Sequence, residues 1–260
     1  MFITLISNHI LIKKPLQSAT AYCFKVFMKK YICNFLIVLL LISSFFLGKG
    51  IKMIASTKTK SMPQKSLVIL LDAGHGGMDG GAVGVNNTPE KGINLAITLK
   101  LKELLQLNGF EVILTRENEN SSHAPSETSV AKQKRSDMRN RLKIIENHPN
   151  ALFVSIHQNK FSDPSCKGAQ IFYSSNHSDS EQLAKLLQES FRENLQPENS
   201  REIKASDESL YLLWNAEIPA VLVECGFLSN PNECELLCDE SYQEKIAFVI
   251  YLSLLDFYQL

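Results

Sequence analysis

Four residues of this chain have the chemistry to hold and use a metal ion: His75, Glu90, His157 and Glu224. His75 lies within Leu71-Asp72-Ala73-Gly74-His75-Gly76-Gly77-Met78-Asp79-Gly80-Gly81, where an apolar run stops at a glycine-rich loop. Glycine opens backbone conformations closed to other residues and lets chain or ligand approach closely. An imidazole there is either placed for chemistry or incidental to a tight turn. His157 ends the apolar run 151–156, and Glu224 follows Val221-Leu222-Val223. A carboxylate at the end of an apolar strand is costly to bury unpaired, so it needs a partner, such as Arg116, or a task. Catalytic zinc takes three ligands from His and Asp/Glu and keeps a fourth position for water. His75 and His157 supply two candidates. Glu90, which follows Thr88-Pro89 at the start of a helix, supplies a carboxylate near His75. The structural alternative for Glu90 is that acidic residues favour helix N-termini through the dipole. Near a metal, Glu224 would serve as general base toward the bound water.

These residues can meet only if the elements around them converge. Residues 67–71 read as a buried strand and 90–108 as a helix, with Ile93, Ile97, Leu101, Leu104 and Leu105 at helical spacing before Asn108-Gly109. Residues 111–115 read as the next strand, 117–134 as a polar loop, and 135–147 as a helix with Met138, Leu142 and Ile145 on one side. Strands follow at 151–156, 169–173 and 220–223, with helices at 181–195 and 241–257. Such alternation predicts an α/β fold, a single domain with a mostly parallel twisted sheet flanked by helices on both faces. In such sheets the ligand site lies outside the carboxyl ends of the strands. Three strands that end near His75, His157 and Glu224 therefore point to one place.

The chain has 260 residues, 45% of them hydrophobic, and no formal net charge, so it carries no overall basic footprint for nucleic acid. Met28-Lys29-Lys30 precedes an apolar run over 32–47, the pattern of an export signal or signal anchor. That run is shorter than the roughly 20 residues of a comfortable spanning helix, and no small-x-small cleavage site follows it. Residues 1–53 are assigned to this segment, with Met28 as an alternative start, and 54–66 to a polar tether. The expected location is outside the cytoplasm, in the periplasm or cell envelope, with membrane contact only through the N-terminal segment. Six cysteines, at 23, 33, 166, 225, 234 and 238, include no zinc-type Cys-x-x-Cys pair and read mostly as buried thiols. Cys234 and Cys238 are one helical turn apart and can share a face.

At the residues singled out above, the chain resembles the zinc-dependent N-acetylmuramoyl-L-alanine amidases of the type-3 family. The matching pieces are Asp72-Ala73-Gly74-His75-Gly76-Gly77, Glu90-Lys91-Gly92-Ile93-Asn94-Leu95-Ala96, Leu114-Thr115-Arg116, Arg139-Asn140-Arg141, Ser155-Ile156-His157-Gln158-Asn159 and Val223-Glu224-Cys225-Gly226-Phe227-Leu228-Ser229-Asn230. They occur in family order and span nearly all of 67–258, so 67–260 is taken as the catalytic domain. The resemblance implies that His75, Glu90 and His157 bind Zn2+ and that Glu224 is the catalytic glutamate. The substrate would be peptidoglycan or a muropeptide, cut between the MurNAc lactyl group and L-alanine of the stem peptide. Asn159, Arg116 and Arg141, within the matching pieces, are the candidate substrate contacts. Ala73 stands where the family often has proline, and Gln158-Asn159-Lys160 is a local variant beside a ligand. Some envelope amidases of the family carry an inhibitory helical insertion between the second histidine and the glutamate. Here that interval holds one strand, one helix and a short segment around 210–214, so no obligatory activator and no separate wall-binding domain are expected.

Two rival readings come from other classes. Ser129-Val130-Ala131-Lys132 fits Ser-x-x-Lys and Ser174-Ser175-Asn176 fits Ser-x-Asn, as in penicillin-sensitive serine DD-carboxypeptidases, with Ser129 as nucleophile and Lys132 activating it. So short a motif also arises by chance in a serine-rich chain. The other rival is a non-catalytic wall-binding module on the same fold, which the full set of ligands and base disfavours. A generic metallopeptidase would share the ligands and differ only in the amide cut.

Overall fold

The computed structural model describes residues 67–260 except Glu127; the export segment at 1–53 and the tether at 54–66 lie outside the described residues. The elements in order are β1 (Val68–Ala73), α1 (Glu90–Leu107), β2 (Glu111–Leu114), α2 (Val130–Glu146), β3 (Leu152–Asn159), β4 (Gln170–Tyr173), α3 (Ser178–Asn194), β5 (Lys204–Ala205), α4 (Tyr211–Asn215), β6 (Ala220–Phe227), α5 (Pro231–Cys238) and α6 (Glu240–Tyr258). They form one six-stranded sheet in the order β2-β1-β3-β6-β4-β5. Strands β2, β1, β3 and β6 run parallel, as the alternation predicts. β4 runs antiparallel to β6, with β5 parallel to β4. The connection between β3 and β4 carries no helix. A parallel crossover needs a dozen or more residues, so the short connection returns the chain in the opposite direction.

Both faces of the sheet are covered, but unequally. Side chains alternate along a strand, and here both sets are apolar. Ile69, Leu71, Leu152, Val154, Ile156, Val221 and Val223 pack in one core with α1, α3, α5 and α6. Leu70, Phe153, Ala220 and Leu222 pack in a smaller one with Leu142 and Ile145 of α2 and Leu212 and Leu213 of α4. α1 buries Ile93, Ile97, Leu101 and Leu105, a single stripe, each residue worth about 1.5–3 kcal/mol of apolar transfer. The thinner layer, α2 and α4, leaves a cleft over the carboxyl ends of the central strands.

Several boundaries differ from the sequence reading for local reasons. α2 begins at Val130 because the Ser129 side chain accepts the Lys132 amide, a helix cap. α3 begins at Ser178, where the His177 ring accepts the Asp179 amide. α5 was not expected; Asn230 caps it, Pro231 opens it, and it is too short to show a periodic stripe. β3 and β6 do not end at His157 and Glu224 but run past them, and the two residues lie opposite one another in the β3–β6 register. All four described cysteines carry free thiols, and two of them, Cys225 and Cys234, are buried. The Asn86 amide bonds both Cys234 and Cys238, each at 3.3 Å, which confirms their shared helix face.

Candidate metal centre

The glycine loop leaves β1 with His75 at φ 63°, followed by Gly76 and Gly77 at φ 137° and 58°. A non-glycine residue in the left-handed region costs of order 1–3 kcal/mol and persists only where its surroundings over-determine it. Three contacts do so here. The Gly76 and Asp79 backbones exchange hydrogen bonds at 2.9 and 3.0 Å. Arg141 Nη2 donates to the His75 carbonyl at 2.5 Å. His75 Nδ1 meets Asp79 Oδ2 at 3.0 Å, and Lys134 Nζ holds the other Asp79 oxygen at 2.7 Å. Burial opposes a charged His75, yet the hydrogen bonds it donates to the Asp79 and Glu90 carboxylates raise its pKa to about 9.

Glu90 arrives on the first turn of α1, whose leading amides are satisfied by the loop itself: Glu90 N donates to Ala82 O and Lys91 N to Gly80 O. Its carboxylate is buried and fully engaged. Oε2 accepts the Ala82 amide at 2.8 Å and faces His75 Nε2 at 3.2 Å. Oε1 accepts the Gln158 amide at 3.0 Å and Asn94 Nδ2 at 3.0 Å, and faces His157 Nδ1 at 3.0 Å. Burial would raise its pKa, but hydrogen bonds and charge from His157 and His75 hold it far below the usual carboxylate range. The two imidazole rings stand edge to face, 4.9 Å between centroids.

Two glycines explain how the three candidate ligand side chains, His75, Glu90 and His157, fit so closely. A Cβ on Gly74 would stand 2.3 Å from the His157 ring, and one on Gly81 would stand 2.5 Å from Glu90 Oε2 and 2.6 Å from the His75 ring. These glycines make room for the ligand side chains. The donor set fits a zinc ion: one ligand atom from each of His75, Glu90 and His157 lies within 4.8 Å of the others, and two imidazoles with a carboxylate suit zinc.

Glu224 stands beside this group in a different electrostatic state. Its Oε2 is buried and has no hydrogen-bond partner. Burial raises its pKa to about 7, with His157 opposing and Glu90 adding to the shift. A carboxylate poised near neutrality beside a metal cluster is suited to accept and return a proton. His75, His157 and Glu224 together line a cleft of about 400 Å³, walled further by α2 and by residues 209–213.

The two arginines expected at the substrate, Arg116 and Arg141, are tied closely to the chain. Arg116 is buried and donates to the carbonyls of Ala73, Gly74, Lys91 and Asn118. It makes no bond to Glu224. Arg141, also buried, gives all five of its N–H groups to Asp137, Asp72, Ala73 O and His75 O. Four of the five N–H groups of Arg116 and all five of Arg141 thus go to the chain, and these contacts hold the loop that carries His75. Asn159 lies past a bulge in β3, its carbonyl accepting the Leu228 amide, and is not in the cleft wall. Ser129 and Lys132 are exposed and also outside the cleft wall, while Ser174 is buried and donates to Ala216 O at 3.3 Å. Sequence reasoning missed Asp79, whose only signal was a carboxylate four residues after His75. It also missed Asp72, which accepts from Arg141 at 2.6 Å, Thr115 at 2.6 Å and Ser155 at 2.5 Å beneath the loop.

A mostly parallel α/β sheet with a His–Glu–His cluster at the carboxyl end of its parallel strands and a carboxylate with a buried unpartnered oxygen beside it defines a class: a metal-dependent hydrolase. A family model described as N-acetylmuramoyl-L-alanine amidase matches residues 69–256. The chain belongs to that family, whose members are typically zinc-dependent. A germination-specific N-acetylmuramoyl-L-alanine amidase of Bacillus subtilis is 35% identical over 228 residues, covering 88% of this chain and 93% of that protein. The CwlD amidase of Clostridioides difficile, solved in complex with the GerS lipoprotein, is 45% identical with a TM-score of 0.72, covering 75% of this chain and 99% of that one. The catalytic domain of CwlV, an amidase from Bacillus (Paenibacillus) polymyxa, is 29% identical with a TM-score of 0.61, covering 74% and 98%.

Proposed function

We propose that this amidase hydrolyses the bond between the MurNAc lactyl group and L-alanine of peptidoglycan stem peptides with Glu224 as general base and His75, Glu90 and His157 as zinc ligands. Zinc, when bound, supplies Lewis-acid polarisation of the scissile carbonyl and lowers the pKa of water. Glu224 takes a proton from the attacking water, and the protonated carboxyl then delivers it to the departing amine. Asp79 and the backbone donors around Glu90 keep the ligand side chains in place while this happens. The single observation that carries the reading is the buried, unpartnered Glu224 oxygen in the same cleft as His75 and His157, two members of the His75, Glu90 and His157 cluster.

The cellular setting is part of the proposal: export through the segment at 1–53, a tether at 54–66, and action at the cell envelope by residues 67–260. The interval from His157 to Glu224 is taken up by β4, α3, β5 and α4. The full chain with zinc and defined muropeptides should release the intact stem peptide, with the cut at the lactyl–alanine amide read by mass spectrometry. Glu224→Gln should bind zinc as the parent does and lose about 10²–10⁴-fold in turnover. Full turnover by zinc-loaded Glu224→Gln would remove Glu224 from the mechanism.

A further inference from the structure

The cleft extends beyond the group of ligands. Its walls include Met138 of α2, Leu210 just before α4, and Leu222 of β6. Leu222 and Glu224 are two apart on one strand and share a face. The polar groups that α2 brings to the same wall are engaged: Asp137 and Arg141 pair with each other at 2.9 Å, and Lys134 is held by Asp79. Ser155, opposite Leu222 in register, is likewise engaged, donating to Asp72 at 2.5 Å, so Met138, Leu210 and Leu222 form an apolar arm of the cleft between α2 and α4, with Ser209 and Tyr211 at its α4 end.

The chemistry fixes which part of a substrate reaches it. To protonate the leaving amine, Glu224 must lie within about 2.6–3.2 Å of that nitrogen. The Cα of the first stem residue is bonded to the same nitrogen, about 1.5 Å further on. The lactyl carbon is attached to the carbonyl carbon instead, across the planar amide. The first stem residue is thereby placed on the Glu224 side, and Leu222 is the neighbouring residue on that strand face in the cleft wall. We infer that the arm formed by Met138, Leu210 and Leu222 receives the side chain of the first stem residue, and that Met138 and Leu210 limit it to a small apolar group. This rests on the amidase reading above and names specificity residues for it.

The test uses the full zinc-loaded chain and two muramoyl tripeptides that differ only at the first residue, L-alanine or L-norvaline. The parent should favour L-alanine, and Met138→Ala should raise the norvaline-to-alanine ratio of kcat/KM at least tenfold, since a methylene in an apolar pocket discriminates about 10–200-fold. Leu210→Ala opens the same arm from the opposite wall and answers the question if Met138→Ala does not fold. Zinc affinity should be unchanged in both. An unchanged ratio in a folded, zinc-loaded variant overturns the inference. If the parent cleaves neither tripeptide, the amidase reading fails first, and the arm assignment falls with it.

Discussion

Replacing Gly74 by alanine isolates the packing argument for the metal centre. Gly74 lies outside the left-handed region, so its backbone accepts alanine without strain, and its amide keeps its 3.1 Å bond to Ile156 O. The added Cβ, however, would sit 2.3 Å from both Cε1 and Nε2 of His157. Ordinary carbon contacts begin near 3.5 Å, so the ring must retreat by about 1 Å. Metal sites tolerate ligand displacements of only about 0.2 Å, and the retreat also pulls Nδ1 from its 3.0 Å contact with Glu90. Zinc affinity should fall at least 100-fold, or about 2.7 kcal/mol. The His157 side chain is 19% exposed and has solvent to move into, so the metal-free protein should unfold within a few degrees of the parent. Competition with a chromophoric chelator gives the affinity, and calorimetry of the metal-free protein gives the fold control. Gly80→Ala is the matched comparison, because its Cβ would meet only Pro89 at 3.7 Å, and it should bind zinc as the parent does. Parent-like zinc affinity in Gly74→Ala, or an equal loss in Gly80→Ala, would refute the reasoning.

Three further outcomes follow from the same contacts. Asp79→Asn keeps the side-chain shape but loses the charge behind His75, and zinc affinity should drop about 10–100-fold while Asp79→Glu recovers part of it in the same chelator assay. Asp72 is held at about pKa 2: burial opposes this, but the Arg141 charge and hydrogen bonds from Ser155 and Thr115 prevail over it. A depressed carboxylate stabilises the fold above its unfolded value near 3.8 and loses that contribution as pH falls through 2, so about 2 kcal/mol should disappear between pH 4 and pH 2. Urea midpoints across that range should fall more steeply for the parent than for Asp72→Asn, which starts lower because it leaves Arg141 short of a buried partner. Ser129→Ala should cost about 0.5–2 kcal/mol as a lost helix cap with turnover unchanged; fluorescent penicillin labelling that depends on Ser129 would instead restore the serine reading.

The parallel core of the fold was legible because its signals are local and repeated. Apolar runs at 67–71, 151–156 and 220–223 and the stripe Ile93, Ile97, Leu101 and Leu105 each state their period within a dozen residues. The antiparallel β4 was not legible, because strand direction depends on how far the connection must travel, which periodicity does not encode. α5 was missed for a related reason: in eight residues a cap and a proline are visible, but a stripe is not.

At the site, the sequence reading brought out the residues with reactive side chains and overlooked those that hold them. His75, Glu90, His157 and Glu224 stand out by type, and the structure brings all four together. Arg116 and Arg141 also stand out by type, yet a guanidinium has five donors and only the folded surroundings decide where they go. Here they are shared among the carbonyls of Ala73, Gly74 and His75, those of Lys91 and Asn118, and the carboxylates of Asp72 and Asp137. Gly74 and Gly81 are small because the His157, His75 and Glu90 side chains need their space. Glycine frequency announces that something approaches the backbone closely, but what approaches is a tertiary fact. In this loop it is the side chains of His157, Glu90 and His75, so residues that look like a flexible turn lie hard against the candidate ligands.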